Sequence, residues 1–185
     1  MRSSSSLLLL GALALGCATV PEAEPVQDLE LSRYTGTWYE VASTPQWFSR
    51  GCTCTTATYE RVEPTQISVV NQCRKGSPAG ELDTARGTAT LPDPSEPGDL
   101  RVSFFGPFRS PYRVVELGDE GAGPYSYAVV GSGSDALFIL SRTPEMDPAL
   151  LEGILARRAA EGYDVEDVQR TRQEGCWEDR RVSGR

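Results

Sequence analysis

Histidine is absent from the 185-residue chain, and its absence removes several common kinds of active site. Without imidazole, the chain cannot form a Ser-His-Asp triad, a Cys-His pair, a His-ligated zinc site or a haem held by a proximal histidine. Basic residues are also few, since 18 lysines and arginines stand against 26 acidic residues and leave a net charge of −8. This acidity argues against a nucleic-acid partner, which requires a basic surface that neutralises phosphates.

The chain also lacks an apolar run long enough to span a bilayer as a helix, which takes about 20 residues. Its N-terminal run, residues 7–15, fits the hydrophobic region of a secretory signal peptide. Residues 14–17 (Ala-Leu-Gly-Cys) resemble the lipobox of bacterial lipoproteins. The resemblance implies cleavage before Cys17, lipid attachment to Cys17 and, since Ala18 follows, transfer to the outer membrane. An ordinary signal peptide with a chance cysteine is the alternative.

The length of the chain corresponds to one domain with a leader and polar ends. We assign residues 1–16 to the signal peptide. Residues 17–28 carry prolines and carboxylates but no aromatic residue, which favours a lipidated, solvated tether. Residues 29–176 form the folded domain, and residues 177–185 form a polar tail.

Eight runs typical of β-strands recur along the domain, with turn residues between them. They cover residues 38–42, 53–62, 66–73, 84–91, 100–105, 112–117, 125–130 and 136–141. Their mostly short connections predict an all-β, up-and-down antiparallel meander. Closure into an eight-stranded barrel would remove its exposed edges.

One helix is predicted after the last strand. Asp147 can cap it, Pro148 suits its first position and Gly162 suits its end. An apolar stripe at helical spacing predicts packing against the outside of the barrel. The stripe consists of Leu150, Leu151, Ile154, Leu155 and Ala159.

Five cysteines, an odd number, call for explanation in a secreted chain: Cys17, Cys52, Cys54, Cys73 and Cys176. Lipidation uses Cys17, and the other four can form two disulfides in an oxidising compartment, with three possible connectivities. A four-cysteine zinc site is the alternative, but the Cys52-x-Cys54 spacing is tighter than zinc sites use. We therefore expect neither a metal nor another cofactor.

Two segments resemble the motifs of the lipocalin family. Residues 31–41 (LSRYTGTWYEV) contain Gly36-x-Trp38, which resembles the signature of the first strand. Residues 140–144 (LSRTP) resemble the late motif, whose arginine here is Arg142. The resemblance implies that Trp38 closes one end of the barrel and that the Arg142 guanidinium lies on its indole as a cation–π contact. Both roles are structural, so the opposite end is the binding mouth.

Two further segments extend the resemblance to residues 28–176. Residues 104–108 (FFGPF) look like the matching stretch of bacterial outer-membrane lipocalins. Residues 125–130 (YSYAVV) stand where the family carries its middle motif, although the usual Asp-Tyr form is missing.

The cysteine pattern resembles that of two lipocalin groups. Plastid lipocalins share a Cys-x-Cys before the second strand and a cysteine that ends the third. Apolipoprotein D-like lipocalins carry a cysteine at the position of Cys54 that bonds to the C-terminal segment. These resemblances imply the pairs Cys54–Cys176 and Cys52–Cys73.

The resemblance implies a non-enzymatic protein that binds or transports a small hydrophobic ligand, such as a fatty acid or lysophospholipid. The lipid anchor would place it at the outer membrane, facing the periplasm or the cell surface. Four aromatic residues near strand ends are candidates for the cavity or its mouth: Trp47, Phe48, Phe105 and Tyr112. The alternatives are a lipocalin-fold enzyme acting on a lipid or isoprenoid, and a structural surface lipoprotein whose barrel is filled by its own side chains.

The anchor gives the first testable prediction. Two or three acyl chains on one residue give stable membrane attachment, whereas one chain is marginal. The wild-type chain should therefore enter the detergent phase in a phase-separation assay, and Cys17→Ser should yield an unprocessed or a soluble protein. Recovery of the wild type in the aqueous phase would contradict lipidation.

Overall fold

A computed structural model describes residues 24–118, 121–133 and 136–177 of the chain. The expected signal peptide, the lipidation site Cys17 and residues 178–185 of the expected polar tail lie outside the described residues. Among the residues that are described, no helix has the length and apolarity needed to cross a membrane.

An eight-stranded antiparallel barrel forms the body of the protein, which confirms the predicted fold class. Each strand pairs with the next in sequence, and β1 pairs with both β8 and β2, so the sheet closes. The strands are β1 (Gly36–Ser43), β2 (Cys52–Glu63), β3 (Gln66–Lys75), β4 (Leu82–Thr90), β5 (Asp99–Phe105), β6 (Phe108–Leu117), β7 (Tyr127–Ser132) and β8 (Ala136–Ser141).

The two ends of the barrel differ. A short helix, α1 (Leu31–Tyr34), precedes β1 and covers the closed end. The antiparallel order places the β1–β2, β3–β4, β5–β6 and β7–β8 connections together at the opposite end, which we call the open end. A turn of 3-10 helix (Trp47–Ser49) lies in the first of these connections.

Alternation along the strands turns apolar side chains toward the interior. Successive inward positions of β3, for example, are Ile67 and Val69, which are almost fully buried. The buried members of this cluster are Leu29, Tyr34, Trp38, Ala57, Tyr59, Ile67, Val69, Ala89, Leu100, Val114, Tyr125, Ala128, Val130 and Leu140. The folded domain begins slightly before residue 29, the start expected from the sequence, since the Val26 N–H donates to the Val114 carbonyl at 2.8 Å.

Helix α2 (Pro148–Ala160) packs outside the barrel, as predicted. The Asp147 side chain accepts from the Ala149 N–H at 2.8 Å and caps it. Its buried face differs from the expected stripe, because Leu150 is exposed and Arg158 is buried. Burial of the Arg158 guanidinium is offset by ion pairs with Glu116 and Glu161, at 3.1 and 2.7 Å.

The C-terminal segment extends the sheet in a way that the sequence did not indicate. A two-residue strand, β9 (Gln169–Arg170), pairs with Ala42 and Ser43, at the end of β1 that reaches the open end. Beyond it, the Arg172 carbonyl accepts from the Cys54 N–H at 2.8 Å. The Gln173 amide donates to the carbonyls of Glu40 and Thr55, both at 2.8 Å, and so links β1 to β2.

Two disulfides reinforce this arrangement. The structure joins Cys52 to Cys73 and Cys54 to Cys176, which are the pairs that the family resemblance implies. Cys54 has a left-handed backbone, with a φ of 57°, at a register shift between β2 and β3. The second bridge closes a loop of 122 residues and holds the C-terminal segment against β2.

At the closed end, Trp38 is fully buried beneath Arg142. The guanidinium carbon lies 3.6 Å from the centre of the indole ring, and the Trp38 Nε1–H donates to the Tyr34 carbonyl at 2.8 Å. Gly36 has a φ of +98°, and a Cβ there would lie 3.3 Å from the guanidinium, so glycine fits this position. The guanidinium donates to the carbonyls of Arg33, Tyr34, Thr35, Thr37 and Tyr125.

Removing either partner should destabilise the barrel. Trp38→Ala should lower the free energy of unfolding by about 3–5 kcal/mol, as a large truncation in a core. Arg142→Ala should cost about 1–3 kcal/mol, because carbonyls lose their donor. Denaturant unfolding followed by circular dichroism measures both.

Arg142→Lys is the matched control, since it keeps the charge but not the planar guanidinium. Its loss of unfolding free energy should be smaller than that of Arg142→Ala. An Arg142→Ala variant of unchanged stability would contradict this account.

Candidate functional site

Three tyrosine hydroxyls meet inside the barrel. The Tyr112 hydroxyl lies 2.6 Å from that of Tyr34 and 2.9 Å from that of Tyr59. These residues come from three elements, α1, β2 and β6, and only the closed barrel brings them together. We call this group the tyrosine floor.

The tyrosine floor rests on the closed end. The Tyr34 ring lies 5.1 Å from the Trp38 ring and 5.5 Å from the Tyr59 ring, measured between centroids. The Tyr112 ring lies 6.1 Å from that of Tyr59. The floor is therefore the base of the interior, and the walls above it continue to the open end.

The tyrosine floor is neutral near pH 7, and burial extends its neutral range to higher pH. Burial raises the pKa of Tyr59 to about 12 and raises the pKa values of Tyr34 and Tyr112 well above the ordinary value of 10.0. The floor therefore presents uncharged rings whose hydroxyls already bond to one another. Such a surface accepts an apolar group more readily than an anion.

The walls around the tyrosine floor are apolar. Partly buried side chains pack against the core cluster from β4, β5, β6 and β8 and their connections. They include Val102, Phe104 and Phe138 on the strands, whereas Leu91 and Leu117 pack against the cluster at the closed end. Aliphatic and aromatic walls with a few polar groups are typical of sites for small hydrophobic molecules.

Glu40, on β1, is a partly buried carboxyl group near the tyrosine floor. Burial raises its pKa above the ordinary value, against the opposing effect of hydrogen bonds from Thr171 and Ser43. Both hydroxyls donate to the same oxygen, Oε1, at 2.6 and 3.0 Å. Glu40 also raises the pKa of Tyr59, so its charge acts on the tyrosine floor.

The four aromatic candidates from the sequence do not share one place. Tyr112 lies inside the barrel as part of the tyrosine floor. Trp47 and Phe48 lie on the exposed turn after β1, and Phe105 is exposed at the end of β5. The structure thus joins Tyr112 to two residues that the sequence did not nominate, Tyr34 and Tyr59, and places the other candidates at the open end.

A concave region of about 620 Å³ lies along β4, β5 and the β5–β6 turn. Most of the residues that line this region, such as Thr88 and Arg101, stand on the strands next to inward residues such as Ala89 and Leu100. Their side chains therefore point outward, and the region lies on the outside of the barrel. β4 and β5 pair over only three residues each, from Thr88 to Thr90 on β4, and separate toward the open end. Three arginines line this outer groove: Arg86, Arg101 and Arg109.

The described part of the chain contains neither a candidate metal site nor a free thiol. No three cysteine or acidic side chains are grouped there in a way that could hold a metal ion. All four cysteines within residues 24–177 are in disulfides.

Comparisons with known proteins agree with this architecture. Residues 29–173 match the family model described as a lipocalin-like domain. The chain is 40% identical to the outer membrane lipoprotein Blc of Vibrio cholerae over 161 residues, which cover 86% of this chain and 92% of that protein. It is 31% identical to apolipoprotein D of Mus musculus, over 82% of each chain.

Solved structures show the same fold at low sequence identity. Insecticyanin from the tobacco hornworm Manduca sexta superposes with a TM-score of 0.63 and 19% identity, over 83% of this chain and 85% of that chain. Lobster apocrustacyanin A1 gives a TM-score of 0.61 and 20% identity, over 78% and 79%.

The raised pKa of Glu40 predicts a pH-dependent stability. The folded protein holds this proton more tightly than the unfolded chain, so stability falls as pH rises from about 4.5 through the raised value. Glu40→Gln keeps the Oε1 acceptor and removes the charge. It should unfold at a higher temperature than the wild type at pH 8, with the difference vanishing below pH 4.5.

Thermal unfolding of both proteins across this pH range measures the effect, with the exposed Glu60→Gln as the control. A destabilised Glu40→Gln at pH 8 would show that the ionised carboxylate is stabilising and would contradict the prediction.

Proposed function

The chain belongs to the lipocalin family, and on this premise we propose that it binds one single-chain lipid, such as a fatty acid or lysophospholipid, inside its barrel. The acyl chain lies along the apolar walls and ends on the tyrosine floor, while the polar headgroup remains at the open end. The observation that carries this proposal is the neutral tyrosine floor beneath apolar walls.

The charges of the barrel favour this orientation. A carboxylate or phosphate on the floor would meet the rings of three neutral tyrosines and the nearby carboxyl of Glu40. At the open end it would instead meet solvent and two exposed cations, Arg50 and Arg109, neither of which has an ion-pair partner among the described residues. The headgroup therefore lies outward.

The expected affinity is moderate. Burial of roughly 14 methylene groups at about 0.8 kcal/mol each gives about 11 kcal/mol before the costs of association. Those costs take several kcal/mol. A dissociation constant of about 1 μM follows.

We propose that the protein lies at the outer membrane, anchored through Cys17 and facing the periplasm or the cell surface. The relative with 40% identity is named an outer membrane lipoprotein, and the sequence around Cys17 resembles a lipobox. Membrane attachment would keep the binding site beside the source of its ligand.

Binding is favoured over catalysis by a cavity thiol, because the cysteines within the described residues are in disulfides. The structural alternative, a barrel filled by its own side chains, is distinguished by the titration below.

Titration of the purified, delipidated protein tests the proposal. Lysophosphatidylcholine and a C16 fatty acid should bind saturably, with one lipid per chain, in calorimetry. Tyr112→Phe should leave affinity nearly unchanged, because the headgroup does not reach the floor. A large loss of affinity in Tyr112→Phe would show that the headgroup points inward. Absence of saturable binding below about 100 μM for every lipid tested would contradict the carrier function and favour the filled barrel.

A further inference from the structure

Four aromatic side chains are exposed at the open end of the barrel. Trp47 and Phe48, on the turn after β1, are 74% and 54% exposed, and their rings touch edge to face at 5.6 Å. Phe105 and Phe108, on either side of the β5–β6 turn, are 72% and 78% exposed. Large aromatic residues at such exposure are costly in water unless they have a partner.

The two aromatic pairs face each other across the mouth. The β1–β2 and β5–β6 connections are separated by two strands in either direction around the closed sheet. The pairs therefore form two tips on opposite sides of the open end and leave the entrance between them. A flat apolar surface could contact both tips at once, whereas a convex partner would meet one.

Each tip carries positive charge beside its aromatic residues. Arg50 follows the Trp47–Ser49 turn, and Arg109 follows Phe108. Both arginines are exposed. The neighbouring β3–β4 connection carries the acidic residue Glu81, and Asp83, on β4, is paired with Lys75 at 3.1 Å.

The outer groove extends this charge from the second tip down the barrel. It begins at Gly106 and Pro107, in the β5–β6 turn, and is lined by Arg86, Arg101 and Arg109. Arg101 is paired with Asp99, whereas the described residues offer Arg86 no ion-pair partner. Aromatic tips with adjacent arginines match the boundary between acyl chains and phosphate groups in a bilayer.

We propose that the open end of the barrel is a docking surface for a phospholipid bilayer. The aromatic tips enter the headgroup region, Arg50 and Arg109 contact lipid phosphates, and the mouth opens onto the membrane surface. This goes beyond ligand binding, because it assigns the route by which a lipid enters the cavity.

The reach of the proposed tether is compatible with this orientation. Val26 is held at the closed end, by its bond to Val114. Extended residues 17–25 would span at most about 30 Å, and a tilted barrel strand of ten residues rises about 25 Å. A lipid on Cys17 could thus share a bilayer with the tips. This step alone rests on the proposed anchoring.

Contact quenching of tryptophan tests the docking in the full processed chain. The protein is mixed with vesicles of phosphatidylethanolamine and phosphatidylglycerol that carry brominated acyl chains. Its tryptophans are Trp38, Trp47 and Trp177, of which Trp38 is buried at the closed end. Bromolipids should quench the emission, and Trp47→Phe should remove the quenchable component while Trp177→Phe retains it.

Substituting both aromatic residues of the opposite tip distinguishes docking through both tips from contact of Trp47 alone with the vesicle. Phe105→Ser with Phe108→Ser should reduce the quenching of Trp47, because both tips insert together. Val62→Ser is the matched control, since Val62 is 57% exposed near the closed end. It should leave the quenching unchanged.

Three results would overturn the proposal. The first is quenching that persists in Trp47→Phe, and the second is unquenched Trp47 on vesicles that carry the protein when sedimented. The third is a blue shift of Trp47 emission that grows with protein concentration in the absence of vesicles, which would assign the tips to a second copy of the chain. Lipid titration of the same preparation stays independent, so loss of docking and loss of cavity binding are distinguishable.

Discussion

The contact between Arg142 and Trp38 is the constraint on which the rest of the barrel depends. The indole fills the closed end, and the guanidinium lies 3.6 Å above it while donating to carbonyls of the chain before and within β1. The carbonyl of Tyr34 accepts from both side chains, so the same contact fixes the backbone that carries the Tyr34 ring. The tyrosine floor is thus built on Trp38, and the proposed lipid site above it depends on how the barrel is closed.

The two ends of the barrel differ in burial and charge, and we assign structural roles to the closed end and functional roles to the open end. The closed end is buried and held by hydrogen bonds from Arg142 and Tyr125. The open end carries exposed aromatic tips and cations in a chain of net charge −8. The C-terminal segment ties β1 to β2 on the open side through Gln173 and the Cys54–Cys176 disulfide. These ties hold β1 and β2 together near the open end.

Sequence patterns revealed the elements whose determinants are local. Strand-like runs with turn residues between them predicted the barrel, the Asp147 cap predicted the start of the helix, and the family resemblance around Gly36 and Trp38 implied how one end of the barrel is closed. The tyrosine floor could not be predicted in this way, because Tyr34, Tyr59 and Tyr112 meet only after three distant segments close. β9 was missed because two residues carry no periodicity, and the burial of Arg158 was not predicted because it depends on Glu116, on strand β6.

The central claim is that an acyl chain ends on the tyrosine floor with its headgroup outward. A crystal structure with a lysophospholipid brominated at its terminal methyl group tests this most directly, because anomalous scattering locates the bromine. The account predicts one bromine peak per chain inside the barrel, in contact with the Tyr112 ring. A peak at the open end or in the outer groove beside Arg86 would contradict it.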